Sequence, residues 1–360
     1  MSFPESYGAA RASFLAAAAG AQARIETHVL VDRRGRDGEE LAIDVARVGP
    51  ARDVPALLVI SGLHGVEGFA GSVVQTRWLR RIAASAPPRD HGLVLVHAAN
   101  PYGFSWSTRG DENNVDLNRN LHADYAGLPT NDGYDAIHPI LATPAWSPEV
   151  LARQDAALAA YAETHGAQAL TTALFGGQHR HADGLGFGGR ARSWSVGVLV
   201  ALADAIAATH RGLAILDLHT GVARYGEAVV LPFSDMRNDA ARLLLTARGD
   251  ARFSLGAAGL ARMTGIVAAG LAQRAAPSPA LAAVLEFGTV DRVAIRRALR
   301  IDLALRFRPP SDAGEEARAR REVLAAFYPP DPGWRGALLS LADALIEGAG
   351  APGAVVAALA

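Results

Sequence analysis

Residues 56–60 read Ala-Leu-Leu-Val-Ile, without a polar side chain. Nearly unbroken apolar runs return at Leu93–Ala98, Ala214–Leu218 and Ala282–Phe287. Short runs of this kind suit strands covered on both faces, as in parallel sheets. Ala228–Leu231 predicts a further strand. Two alternating segments, Thr27–Val31 and Leu41–Val48, flank an Arg-Gly-Arg-Asp-Gly turn at 34–38 and predict a hairpin. Helical periodicity marks Gly68–Ala84 and the stretches 148–163, 195–209, 238–248 and 312–327. Strands alternating with helices predict an α/β fold, with a mixed, largely parallel central sheet flanked by helices.

The stretch 121–190 breaks this rhythm. It is rich in Gly, Pro, Asn, Asp and His, with one helical segment inside. Long irregular segments in compact enzymes usually cover or shape a site. Residues 121–190 are therefore expected to form an insertion or lid rather than a second core, with Trp146, Phe175, Phe187 and Trp194 as scattered anchors. No repeat or low-complexity linker divides residues 1–360, which predicts one domain carrying that insertion. The Ala-rich stretch Phe14–Ala23 is preceded only by Arg11 as a basic residue, with Glu5 earlier still. It is expected to be a first surface helix, not a secretion signal. The tail from Pro329 is Pro-rich and then helical.

Composition then narrows the chemistry. Half of the 360 residues are apolar, ample for a sizeable core. A net charge of −1 offers no basic footprint for nucleic acid or for a membrane surface. No cysteine is present, which excludes disulfides, thiolate metal sites and a Cys nucleophile, and permits a cytoplasmic location. No apolar run is long enough to span a bilayer.

Three predicted strand ends carry reactive side chains. Ser61-Gly62-Leu63-His64-Gly65-Val66-Glu67-Gly68 leaves a buried strand and enters a helix, the corner at which open α/β sheets place their ligands. His64 and Glu67 are three apart among glycines, so an imidazole and a carboxylate can converge on one ion. Ile215-Leu216-Asp217-Leu218-His219 delivers a second His at a strand end. A lone His there is commonly a satisfied core or surface residue. Beside His64 and Glu67 it completes a two-His, one-Glu set that leaves a fourth position open. Glu286 closes the run Ala282–Phe287. It is either half of a buried ion pair, with Arg292 as partner, or a general base beside a metal-activated water. Arg109 and Arg119 lie in polar loops after a strand, near the motif Asn114-Val115-Asp116-Leu117-Asn118-Arg119-Asn120. They are either solvated or placed to grip a carboxylate and a developing oxyanion.

In this order, His-x-x-Glu, Arg, Asn-Arg, His, Glu, the motifs resemble the zinc carboxypeptidase (M14-like) superfamily, which includes N-acyl-amino-acid deacylases. They are most similar to its mainly bacterial DUF2817 branch. The resemblance runs from about Ala56 to Thr289. It implies a three-layer, phosphorylase/hydrolase-like sandwich and one Zn2+ per chain on His64, Glu67 and His219. It also implies that Glu286 is the base, Arg109 polarises the scissile carbonyl, Asn118 and Arg119 bind a substrate carboxylate, and Asp116 orients His64. The sequence departs from digestive carboxypeptidases, which carry a mobile Tyr between the last His ligand and the Glu. No Tyr occurs from Gly226 to Glu286, and Tyr225 reads as a strand residue.

The expected function is a zinc-dependent hydrolase, cleaving an amide or peptide bond next to a free carboxylate in a small substrate. That substrate is an N-acyl amino acid or a short peptide, with neither nucleic acid nor membrane as partner. A metallocarboxypeptidase for longer peptides and a carboxylate-binding pseudoenzyme are the alternatives, and a homo-oligomer is left open. A serine hydrolase is not indicated, because Ser72 lacks the Gly-x-Ser-x-Gly frame. His179, His181 and Asp183 in the insertion are read as substrate contacts or a solvated loop, with a second metal as the other option.

Overall fold

The computed structural model describes residues 3–142, 147–233, 250, 252–255, 263–276, 278 and 280–349. Helix α1 (Tyr7–Gly20) begins where the Ser6 hydroxyl accepts the Ala9 N–H. Next come the hairpin of β1 (Arg24–Arg34) and β2 (Glu40–Val48), then β3 (Ala56–Ser61), α2 (Gly68–Ala84) and β4 (Gly92–His97). A short α3 (Pro101–Trp106) is followed by α4 (Asp132–Leu141), α5 (Pro148–His165), α6 (Ala167–Phe175) and α7 (Trp194–Ala207). Strands β5 (Leu213–Thr220), β6 (Ala228–Pro232) and β7 (Phe253–Leu255) lead to α8 (Val267–Arg274) and β8 (Ala280–Phe287). Helices α9 (Arg292–Phe307), α10 (Ala313–Phe327) and α11 (Pro332–Ala349) complete the described chain.

The strands form one sheet in the order β1-β2-β4-β3-β5-β8-β6-β7. Its centre, β4-β3-β5-β8, is parallel, while β2 and β6 join it antiparallel. Side chains alternate across the sheet. Leu57 and Val59 pack with Phe14, Val73, Leu216 and Trp334 on one face. Leu58 and Ile60 pack with Val196, Leu199, Ile215 and Leu271 on the other. Burial on both faces is why these strands read as apolar runs rather than as alternation. The expected mixed, largely parallel sheet between helical layers is present. From β3 the chain goes outward to β4 and later returns to β5 on β3's other side. The crossover direction reverses there, which opens a crevice at the carboxyl ends of β3 and β5.

Some elements differ from expectation. Strand β1 is longer than Thr27–Val31 because most of its residues are exposed and carry no apolar signal. Helix α9 was not expected: its arginines mask a buried face of Ala298, Leu299, Ile301 and Leu305. Among the described residues, the stretch 121–190 holds three helices, α4 to α6, instead of one. Their apolar residues face one another, and Tyr134, Ile137, Leu141, Leu158, Leu170 and Leu174 make a small core of their own. The expected helix at 238–248 and the anchor Trp146 lie outside the described residues. No helix among the described residues is long and apolar enough to cross a membrane.

Candidate active site

The crevice is built by close backbone packing. After β3, Gly62 adopts φ +66°, and a Cβ there would lie 2.9 Å from the Ala98 Cβ. A Cβ on Gly65 would lie 2.0 Å from the Gly103 carbonyl carbon, so the turn and α3 touch backbone to backbone. The turn is fastened to the next loop by the Gly65 N–H on Arg109 O and the Val66 N–H on Thr108 O. A single 3-10 turn, Gly65–Glu67, then folds Glu67 back towards His64. Strand β5 supplies Asp217 and His219 on one face of its pleat. Strand β8 supplies Glu286, in register beside His219.

Three donor groups converge. His64 Nδ1 is 3.0 Å from Glu67 Oε1. His219 Nδ1 is 3.0 Å from both His64 Nδ1 and Glu67 Oε2. Behind the rings, His64 Nε2 lies 3.1 Å from Asp116 Oδ1 and His219 Nε2 lies 2.9 Å from Asp217 Oδ2. Those aspartates assign the ring protons to Nε2, which then donates to them. Both Nδ1 lone pairs are left facing each other and a carboxylate, buried from water. Lone pairs at that distance repel unless a proton or a metal cation lies between them. Two imidazoles and one carboxylate, each held from behind, fit zinc.

Burial pulls the His219 imidazole down, but Asp217 and Glu67 overcome this and raise it well above its ordinary range, so its Nδ1 favours a proton or a metal cation in the proton's place. Burial pushes the Glu67 carboxyl up, but His64 and His219 overcome this and hold it well below the usual carboxylate range. Burial likewise opposes ionisation of Asp116, which Arg109 and His64 nevertheless keep far below the normal value. Glu286 is pushed up to about 7, chiefly by burial and against the pull of His219. Its Oε2 is buried without a hydrogen-bond partner, and no ion pair joins it to Arg292 among the described residues.

The remaining expected residues surround this centre. Arg109 donates from Nε to Asp116 Oδ2 at 3.1 Å, and its Nη1 lies 3.5 Å from Glu67 Oε1. Its backbone N–H is held by Asp302 Oδ2 at 2.9 Å. Asn118 Oδ1 accepts the Val267 N–H, which ties it to α8. Arg119 is buried, with Nη1 on Asn118 O and Nη2 on Phe175 O, both at 2.7 Å. Its Nε has no partner. Tyr225 corrects an expectation: it lies in the loop before β6, 53% exposed, with its hydroxyl on Asp331. Gly288 pairs with the backbone of Gly226 and Glu227, while the Tyr225 side chain turns out to Asp331. His179 and His181 also separate. His179 donates from Nδ1 to Gly189 O at 2.7 Å, while His181 turns to α4.

Sequence reasoning passed over Asp217 and Asp302. Asp217 had a signal: a charged residue inside an apolar strand, two before a His, shares its face. Asp302 had none, because it reaches the Arg109 loop from 193 residues away.

The profile whose description reads "Protein of unknown function (DUF2817)" matches residues 3–341. The chain belongs to the DUF2817 family. No curated protein matches its sequence. Among solved structures, this DUF2817 member is similar to carboxypeptidase A from Helicoverpa armigera, with a TM-score of 0.50 and 13% identity, covering 94% of this chain and 75% of that one. It is similar to the succinylglutamate desuccinylase from Chromobacterium violaceum, with a TM-score of 0.40 and 17% identity over 83% and 75% of the two chains. The metallo-carboxypeptidase from Burkholderia cenocepacia gives a TM-score of 0.40 and 14% identity over 88% and 66%. The family expected from the motifs is borne out, and so is the carboxypeptidase-like fold.

Proposed function

We propose that this DUF2817 protein is a zinc-dependent hydrolase that cleaves an amide or peptide bond next to a free carboxylate in a small substrate, an N-acyl amino acid or a short peptide. One observation carries the reading: three lone-pair donors converge in the crevice with an unpaired, buried Glu286 beside them. A module that only binds carboxylates has no need of such a base. His64, Glu67 and His219 would hold one zinc per chain. When bound, zinc supplies Lewis acidity, which polarises a carbonyl and lets water attack near neutral pH.

The chain's own groups do the rest. Glu286 accepts the proton of the attacking water and passes it to the leaving nitrogen as hydroxyl adds to the carbonyl carbon and the C–N bond breaks. Arg109, anchored by Asp116 and Asp302, stabilises the oxygen that gains charge. Asn118 and Arg119 receive the substrate carboxylate, which replaces Phe175 O on the Arg119 fork. Asp116 and Asp217 keep the imidazoles oriented. The proposal treats the chain as one domain with 121–190 as its lid. Two contacts support this: Phe175 O on Arg119 and Phe187 O on the Asp116 N–H. A cytoplasmic location goes with it, which a chain without cysteine permits.

The test is metal analysis together with turnover. Zinc-loaded protein is expected to carry one metal at this centre that His64→Ala removes, and to hydrolyse members of an acyl-amino-acid and dipeptide panel. Failure to bind zinc at this centre, or binding without turnover of any panel member, overturns the reading.

A further inference from the structure

Away from the crevice, the insertion gathers a second set of donors that hydrolysis does not use. His138 on α4 and His181 and Asp183 on the loop after α6 bring one donor atom each within 4.8 Å of one another. His138 Nε2 is 3.0 Å from Asp183 Oδ1, and His181 Nε2 is 2.9 Å from Asp135 Oδ1. The two rings stack, with centroids 3.8 Å apart at 21°. Asp135 and His138 are three apart on one helix face. Each carboxylate turns its other oxygen outward to an arginine: Asp183 Oδ2 accepts from Arg308 at 3.4 Å, and Asp135 Oδ2 accepts from Arg180. The arginines hold the carboxylates while one oxygen of each points at an imidazole.

The loop is fixed before any ligand arrives. Gln178 is buried. Its Oε1 accepts the N–H groups of Arg180 and His181, and its Nε2 donates to the carbonyls of His181 and Leu185. The Leu185 N–H donates to the hydroxyl of Tyr134, which is fully buried. His181 is thus presented by a rigid turn, and His138 by a helix.

We propose that His138, His181 and Asp183 form a second cation site for one transition-metal dication of the Zn2+, Co2+ or Ni2+ class. Two imidazoles among three donors disfavour Ca2+ and Mg2+, which take oxygen. Each ring would ligate through one nitrogen and carry its proton on the other, with an Asp183 oxygen as the carboxylate donor. The cation cross-links α4 to the 178–187 turn. That turn supports the crevice through Phe187 O, which accepts the Asp116 N–H at 2.7 Å, and through Ala182 O and Gly184 O, which accept from Asn114 Nδ2.

The test uses the full chain with the crevice centre removed, His64→Ala/His219→Ala, stripped by chelator and titrated with Zn2+ and Co2+ by calorimetry and elemental analysis. One equivalent is expected to bind and to raise Tm. Adding His138→Ala/His181→Ala should abolish it, and adding Asp183→Asn should weaken it at least about tenfold. Circular dichroism establishes that each variant is folded. Should the crevice variant not fold, stoichiometry decides: two equivalents in wild type against one in His138→Ala/His181→Ala. No binding by the folded crevice variant, equal stoichiometry in that comparison, or binding that survives His138→Ala/His181→Ala, each overturns the site. Failure of the crevice reading looks different, because His138→Ala/His181→Ala would then bind no metal while the crevice variant keeps one.

Discussion

Each imidazole at the crevice has an aspartate behind it, and the two aspartates arrive by different routes. Asp217 reaches His219 through the pleat of one strand, whereas Asp116 reaches His64 from 52 residues further along the chain. Glu286 Oε2 and Asp217 Oδ1 are both buried without a hydrogen-bond partner, but Asp217 spends its other oxygen on His219. A buried acceptor left open in this way is poised for a proton rather than for structure. Glu286→Gln is therefore expected to keep the fold and bound zinc but to lose turnover at least about a hundredfold, the usual scale for a general base. Zinc loss in this variant would instead make Glu286 a ligand, and unchanged turnover would remove it from the reaction. The two arginines should separate in kinetics. Arg109 is anchored by Asp116, and in the proposed reaction it meets the developing charge, so Arg109→Ala should depress kcat. Arg119→Ala should mainly raise KM, and only for substrates with a free carboxylate. Equal losses on amidated and free-acid substrates would exclude the carboxylate clamp.

Strand ends were the legible part of this molecule. His64, His219 and Glu286 could be placed because apolar runs announce buried strands, and such strands deliver their last residues to one edge. The insertion was harder to read. Helices α4 and α6 span only Asp132–Leu141 and Ala167–Phe175, too short for a clear period, and Pro139 sits inside the former. Their apolar residues form a separate small core, a pairing no local pattern announces. The switch of His181 from His179 to His138 was invisible for the same reason, since helix and loop are 43 positions apart in sequence. A segment with its own core is stiffer than an irregular lid. It also reaches Arg119 and Asp116 directly through Phe175 O and Phe187 O. A stiff wall beside the proposed carboxylate clamp should limit substrate length. Acyl amino acids and dipeptides are expected to be hydrolysed with higher kcat/KM than peptides of about six residues. A side-by-side assay checks this, and equal or better turnover of the longer peptides would mean an open groove of carboxypeptidase type.

Across the whole molecule, two buried groups outside the crevice pull stability in opposite directions with pH. His97 is fully buried, stacked on Phe14 with centroids 4.5 Å apart, and burial lowers its pKa from 6.5 to about 4. Between those values the unfolded chain binds a proton that the folded chain refuses, so stability rises with pH. The contribution is fully present above 6.5 and is lost as pH falls towards 4. Its size is about 3 kcal/mol, from some 1.4 kcal/mol per pH unit. Asp111 does the reverse. Burial raises it from 3.8 to about 7, even though its Oδ1 accepts the Asn113 and Val115 N–H groups. Here the folded chain keeps a proton that the unfolded chain releases. Stability falls as pH rises from about 4 to 7, by about 4 kcal/mol. Between pH 4.5 and 6.5 these two slopes nearly cancel each other. Carboxyls held low, such as Asp116, contribute only below that window. Replacing one partner should unmask the other. Asp111→Asn, which keeps an oxygen for the two N–H groups, should make the protein lose stability steeply as pH drops from 6.5 to 4.5. His97→Gln, which keeps a polar atom for Ser72, should make it gain stability over the same drop. Urea unfolding midpoints at pH 4.5, 5.5 and 6.5, read as differences from wild type so that all other groups cancel, decide it. Parallel curves for the three proteins would show that neither group carries its buried pKa into the folded state.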